Sequence, residues 1–317
     1  MLSLVWFDDI EGALIQYTGG KGASLSKMHK SQLPVPNGFV VTAPFFLKYL
    51  QENELVERII EMIETIDHDD FDSIESISEN IRKLIIDTPI PPELEKDIIN
   101  YYNTLGGVGL AVAVRSSSTA EDLDDASFAG QQETFLYVLG KDDLIEKIKC
   151  CWASLYNGRA IFYRKQKGFN EREVSIAVVV QQMVNSEKAG VMFTVNPITK
   201  DRNHALIEGA WGLGEGVVSG EVTPDSYTVD KSTHNVLEEY ISEKEMMIVR
   251  NISSRGVEEK EVPEDKKCAR VLTEDEIKQL TEMSVNLEKF FGKPQDIEWA
   301  IEKNKLYLLQ SRPITTL

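Results

Sequence analysis

The sequence predicts a mixed fold of the α+β class built from two subdomains. Segments with helical periodicity alternate with short apolar, β-branched runs along the chain. A polar break at Asn185–Lys188 divides the strand-like runs and predicts a boundary between residues 1–187 and 188–317. At 317 residues the chain is long enough for one large domain or two medium ones with a sizeable core.

Each element has its own signal. After Gly19-Gly20-Lys21-Gly22, residues Ala23–Lys30 read as a helix start, and Phe39–Thr42 as a short strand closed by Pro44. Helical patterns follow to about Leu105. Leu110–Val114 reads as an apolar strand ending at Arg115, and Leu144–Gln166 as one long helix. Val174–Val180, Val191–Val195 and Ala205–Ile207 are predicted strands. Thr273-x-x-Glu276 is a capping box and starts a helix to Phe291. The last two predicted strands, Asp296–Ile301 and Lys305–Ser311, flank Glu302-Lys303-Asn304.

Composition narrows the function. There are 34 Lys and Arg against 52 Asp and Glu, a formal charge of −18. That balance argues against broad attraction to nucleic acid or to an anionic membrane. Residues 51–100 hold 15 acids and 4 bases, so 11 of the 18 excess charges sit there. Leu55, Ile59, Ile60, Ile63 and Ile66 recur among them at helical spacing, as on a solvated amphipathic helix. Cys150, Cys151 and Cys268 form neither a C-x-x-C pair nor a disulfide framework, and no apolar run approaches a membrane span. The expected location is cytoplasmic.

Several motifs are suited to a phosphorylated ligand. Gly19-Gly20-Lys21-Gly22 sets a cation among glycines, whose main-chain N–H groups can approach an anion closely. It is not a Walker A loop, and an ordinary turn would explain the glycines too. Arg115 followed by Ser116, Ser117 and Ser118 places a charged fork at a strand end. Equally, Ser118-x-x-Glu121 would form a capping box and Arg115 a salt bridge. Ala126–Thr134 reads as a small-residue loop. Trp211-Gly212-Leu213-Gly214-Glu215-Gly216 lacks the spacing of a dinucleotide fingerprint.

The C-terminal hairpin is the most informative segment. Alternation puts Asp296 and Glu298 on one face of their strand, and Gln310 and Arg312 on one face of the partner. Carboxylate and amide oxygens are ligands suited to Mg²⁺. For all four to share a side, opposed residue numbers must sum to an even number. A three-residue loop with Ile301 opposite Lys305 satisfies this. A two-residue Lys303-Asn304 turn is expected to throw Gln310 to the other face. A surface hairpin held by a salt bridge is the plain alternative. His29, His68, His204 and His234 are scattered, and no G-x-S-x-G or H-E-x-x-H occurs.

Taken in order, the motifs resemble a known domain. They are Gly19-Gly20-Lys21-Gly22, Val114-Arg115-Ser116-Ser117, Ala120-Glu121-Asp122, Ser127-Phe128-Ala129-Gly130-Gln131, Cys151-Trp152-Ala153-Ser154-Leu155, Gln182-Met183-Val184, Gly190-Val191-Met192-Phe193-Thr194, Trp211-Gly212-Leu213-Gly214-Glu215, Asp296-Ile297-Glu298-Trp299 and Gln310-Ser311-Arg312-Pro313. This series resembles the N-terminal ATP-binding domain shared by phosphoenolpyruvate synthase (pyruvate, water dikinase), rifampin phosphotransferase and pyruvate phosphate dikinase.

The resemblance implies an ATP-grasp-like fold, two subdomains with ATP in the cleft between them. It implies transfer of phosphate from Mg-ATP to a histidine on a separate swivelling domain, and thence to pyruvate or to the antibiotic. By the same resemblance Lys21, Arg115 and Arg312 neutralise phosphates, and Gly130, Gln131 and Thr134 belong to a phosphate-covering loop. Gln181, Gln182, Met183 and Val184 form the strand offered to adenine. Glu298 and Gln310 hold Mg²⁺, with Asp296 beside them. None of the four histidines has the family's Gly-Gly-…-Ser-His context, so the expectation is a nucleotide-binding module whose acceptor histidine lies elsewhere. Phosphoenolpyruvate synthase-like activity heads the readings, with rifampin phosphotransferase second. A nucleotide sensor without transfer activity is a third.

Overall fold

The computed structural model describes residues 3–67, 70–119 and 133–315. The chain forms two compact units of mixed helix and sheet, one of residues 1–31 and 37–183, the other of residues 32–36 and 184–317.

The first unit comprises β1 (Leu4–Trp6), α1 (Ile15–Lys30), β2 (Gly38–Val41), α2 (Ala43–Glu52), α3 (Leu55–Glu64), α4 (Phe71–Asp87), α5 (Pro92–Leu105), β3 (Val112–Ser118), β4 (Thr134–Val138), α6 (Lys141–Ala153), α7 (Gly158–Lys167) and β5 (Ile176–Gln182). Its antiparallel sheet has the order β1-β2-β5-β3-β4. Phe39, Val41, Val112, Val114, Val178 and Val180 alternate onto one face and join the buried residues of α2 to α6 in a single core. Trp152 is fully buried there, stacked on Tyr49 at 4.8 Å and against Phe46 at 5.5 Å. α3 buries Leu55, Ile59 and Ile63 and turns its glutamates outward. α1 supplies none of this core and lies against β3 and β5.

The second unit comprises β6 (Lys188–Phe193), β7 (His204–Trp211), α8 (Glu215–Ser219), β8 (Asp225–Asp230), β9 (Val236–Tyr240), β10 (Met246–Arg250), β11 (Val257–Glu261), α9 (Glu264–Lys267), α10 (Glu274–Phe291), β12 (Gln295–Glu302) and β13 (Lys305–Pro313). Its antiparallel sheet runs β13-β12-β6-β7-β8-β9, and β10 and β11 form a separate ribbon. Met192, Ile207, Ile297 and Trp299 share one face by register and are fully buried. α10 packs across β6, β7 and β12. Its capping box is present: Thr273 Oγ1 accepts the Glu276 N–H while the Glu276 side chain accepts the Thr273 N–H.

Several elements depart from the sequence expectations. α1 begins at Ile15 and carries the glycine motif inside it, at a break on Gly19. The long helix expected over 144–166 is two, α6 and α7, separated by a 3-10 turn at Ser154–Tyr156. Asn157 makes the division, because its side chain accepts the Ala160 N–H and starts a new helix. β3 extends through Ser118, so Arg115 lies inside the strand and Ser118 pairs with Ile176 instead of capping a helix. Glu121 lies outside the described residues. Strands β8 to β11 were not anticipated; in β9 and β11 runs of Glu and Lys hide the alternation. The three cysteines are free.

Candidate functional site

The first cluster of site residues is built around the break in α1. Gly19 has φ 68° and ψ 177°, so the helix stops at Thr18 and restarts. A Cβ on Gly19 would lie 2.3 Å from Ser117 Oγ and 2.4 Å from Ser117 O, so only glycine passes β3 this closely. The Ser117 hydroxyl joins the two helical segments. It donates to Thr18 O at 2.7 Å and accepts the Gly22 N–H at 3.2 Å, meeting one orphan group from each side of the break. Lys21, on the first turn after the break, is 7% exposed, and its Nζ donates to Ser116 O at 3.0 Å.

Arg115 is 8% exposed in the middle of β3. Its cross-strand partners are Thr134 on β4 and Val179 on β5, while Ala113 opposes Gln181. Arg115, Ser117, Thr134 and Gln181 therefore share the sheet face away from the large core, and α1 brings Lys21 against β3 as well. The fold thus collects two nearly buried cations in one region. Burying charge is costly unless an opposite charge or strong acceptors answer it. Gly130 and Gln131 lie outside the described residues.

At the end of β5 the Gln182 N–H donates to Asn37 O at 2.8 Å and the Met183 N–H to Ala111 O at 3.0 Å. Two of the main-chain donors foreseen for a base are therefore engaged within the protein. Val184 begins the second unit. There it packs with Ala189 and Ala300, and half-buried Tyr307 and Leu309 extend this small apolar cluster.

The hairpin β12–β13 forms the second cluster, by a route the sequence did not suggest. The connection is the two-residue Lys303-Asn304 turn, with φ of 50° and 60°, and Glu302 opposes Lys305. Two positive φ values mark the primed turn favoured by the twist of a hairpin. Continued regularly, this register would set Gln310 opposite Ile297. A bulge intervenes: Trp299 opposes Leu308, and the next pair is Glu298 with Gln310. The extra residue, Leu309, switches the parity. Asp296 consequently opposes Arg312, and all four side chains share one face. The expectation of a three-residue loop is corrected, whereas its consequence for Gln310 holds through the bulge.

Charges on that face interact strongly. Arg312 donates from Nε to Asp296 Oδ2 at 2.8 Å, with a second nitrogen 2.7 Å from the same oxygen. Burial raises the Asp296 pKa above the ordinary carboxylate value; the Arg312 charge and hydrogen bond oppose the rise and Glu298 adds to it. Glu298 pairs across β12–β6 with Val191, and Val191 across β6–β7 with Glu208. Glu208 thus stands in the same cross-strand row, with its pKa raised by burial and by the charge of Asp296. Sequence reasoning missed Glu208. The signal was its place in an apolar strand, Ala205–Ala210, where a carboxylate needs a reason.

Hard oxygen donors on neighbouring strands, set among carboxylates that repel one another, suit a divalent cation. Among the described residues no three His, Cys, Asp or Glu side chains form a metal cage. Mg²⁺ commonly takes one or two protein oxygens and completes its shell with water and phosphate, so the donor set of Glu298 and Gln310 is compatible with it.

Sequence reasoning also missed a buried pair that shapes the second unit. Lys244 and Asp225 are 1% and 0% exposed, with Nζ 2.5 Å from Oδ1. Asp225 further accepts the Ser242 N–H at 3.0 Å, the Val271 N–H at 2.8 Å and the Tyr227 hydroxyl at 3.1 Å. One carboxylate thereby ties β8 to the segments before β10 and before α10.

A family model described as the pyruvate phosphate dikinase AMP/ATP-binding domain matches residues 15–317. The chain is 47% identical to a probable phosphoenolpyruvate synthase of Methanocaldococcus jannaschii, over 100% of this chain and 27% of that protein. It is 43% identical to the phosphoenolpyruvate synthase of Pyrococcus furiosus, over 98% of this chain and 44% of the relative. For the phosphoenolpyruvate synthase of Aeropyrum pernix the identity is 39%, over 98% of this chain and 42% of the relative. The chain therefore spans less than half the length of these curated relatives.

Proposed function

Because the chain belongs to the family of pyruvate phosphate dikinase AMP/ATP-binding domains, we propose that it is the nucleotide-binding module of a phosphoenolpyruvate synthase-like dikinase. In this reading it binds Mg-ATP in an ATP-grasp-like arrangement to which both units contribute residues. Phosphate passes to a histidine on a separate swivelling domain, and pyruvate is the final acceptor. Phosphoryl transfer asks little covalent chemistry of a protein; it asks for positioning and for neutralisation of developing charge.

The residues divide the work accordingly. Lys21 and Arg115 oppose the phosphate charge from the first unit, and Arg312 from the second. Gly130, Gln131 and Thr134 close over the phosphates. The strand end Gln181–Val184, with the apolar cluster at Ala189, Ala300 and Leu309, takes the base. Glu298 and Gln310 would hold Mg²⁺, which would supply neutralisation of the phosphate charge. Asp296 orients Arg312 and adds to the negative field that favours the cation.

The observation that carries this reading is the direct cross-strand pairing of Glu298 with Gln310, beside the Asp296–Arg312 pair, in a chain of this family. The test supplies a histidine domain separately and follows label from β- or γ-³²P-ATP. Transfer to its histidine is expected with the wild-type chain and abolished by Glu298→Ala or Arg115→Ala, both with unchanged circular dichroism. Intact ATP binding without transfer would instead make the module a sensor. Wild-type rates in either variant would show the site to be wrongly assigned.

A further inference from the structure

A hydrogen-bond relay runs from the surface of the first unit to the strand end assigned above to the nucleotide base. The chain leaves this unit after Ser31, returns at Asn37 and leaves again after Met183. The first unit's sides of these crossings are bonded together. Asn37 O accepts the Gln182 N–H at 2.8 Å. The Asn37 side-chain Oδ1 lies 2.8 Å from His29 Nε2, and His29 Nδ1 lies 2.8 Å from Asp8 Oδ1. The Phe7 ring meets the His29 ring edge-on at 5.9 Å, and the Phe7 N–H donates to Gly38 O at 3.2 Å. Gly38 in turn opposes Gln181, and a Cβ there would lie 2.6 Å from Val180 O and 2.7 Å from the Phe7 ring. Asn37 is thus fixed through its side chain by His29 and through its neighbour by close packing.

We propose that Asn37, oriented by the Asp8–His29 pair, is a positioning residue for nucleotide binding, because its carbonyl holds the main chain of the strand end at Gln182. The inference rests on the assignment of that strand end to the base. Nothing else in the site uses His29, which lies on α1 eight residues after Lys21.

The test compares Mg-ATP with Mg-tripolyphosphate on the whole chain, since tripolyphosphate keeps the charges and lacks the base. In Asn37→Ala and in His29→Ala, Mg-ATP affinity is expected to fall about 5-fold, the effect of one lost hydrogen bond of about 1 kcal/mol. Tripolyphosphate affinity should stay within about twofold, because the base-directed contact is absent in both forms. The double variant should lose no more than either single one, and Asn37→Asp, which keeps an acceptor for His29, should restore Mg-ATP binding. Equal losses for both ligands, or no loss for Mg-ATP, would overturn the inference while leaving the nucleotide reading in place. If the wild-type chain bound tripolyphosphate and Mg-ATP equally, with no gain from the base, the assignment of the strand end would itself fall.

Discussion

Ser117 and Gly19 show how one side chain and one missing side chain can make a site. The break in α1 exposes a carbonyl at Thr18 and N–H groups at the restart, and the Ser117 hydroxyl serves one of each. Ser117→Ala removes both bonds at a buried position, so a loss of about 1–3 kcal/mol is expected in urea unfolding. Gly19→Ala should cost more, since its Cβ would overlap β3 and its φ disfavours any side chain. Lys244 offers a second test at this scale. Lys244→Ala leaves the enclosed Asp225 without its cation, and a loss of about 3–5 kcal/mol is expected from truncating one partner of a buried pair. A smaller joint loss when both are replaced by apolar residues would show that the pair fixes geometry more than it stabilises.

At the scale of elements, the bulge in β13 decides which side chain meets Glu298. Gln310→Ala is expected to raise the Mg²⁺ concentration needed for ATP binding by at least about 10-fold, in line with loss of a metal-orienting group. Leu309→Ala, which touches the base-binding cluster and not the cation, should weaken ATP binding even at saturating Mg²⁺ without that rise of about 10-fold, although a regular ladder would have set Leu309 in the same place. Titrating Mg²⁺ at fixed ATP separates the two. Much of this was legible beforehand. The capping box at Thr273, the apolar runs of β3 and β5, and the i, i+2 spacing of Asp296 with Glu298 and of Gln310 with Arg312 are local signals. The bulge is not local. A turn of two residues and a shared face are incompatible in an even ladder, and only the pairing of whole strands reveals how the conflict is resolved. The same holds for Glu208, which joins the row of Glu298 only through Val191 on the strand between them, although the two acids are far apart in sequence. The helix break at Gly19 was half legible: the glycines marked a special backbone, while helical residues before them, from Ile15, carried no distinctive pattern.

Considering the whole molecule, the −18 charge is unevenly placed. The acidic stretch at 51–100 forms α3 to α5, whose apolar residues pack on the core face of the first sheet. Lys21 stands against the other face, and Arg115 points there. Apart from half-buried Glu95, the acids on these helices are solvent-exposed, and exposed charges beyond a Debye length of about 8 Å are largely screened at physiological salt. Charge reversal at exposed Glu61 and Glu79 is therefore expected to change Mg-ATP affinity by less than about twofold at 0.15 M salt. Among the described residues no helix is long and apolar enough to cross a membrane.

On the function proposed above, Arg115 and Glu298 both act on one Mg-ATP. Calorimetric titration of the chain with Mg-ATP tests it most directly. The account predicts one site per chain, dependent on Mg²⁺ and lost alike in Arg115→Ala, from the first unit, and Glu298→Ala, from the second. Two independent sites, or binding that persists undiminished in either variant, would contradict it.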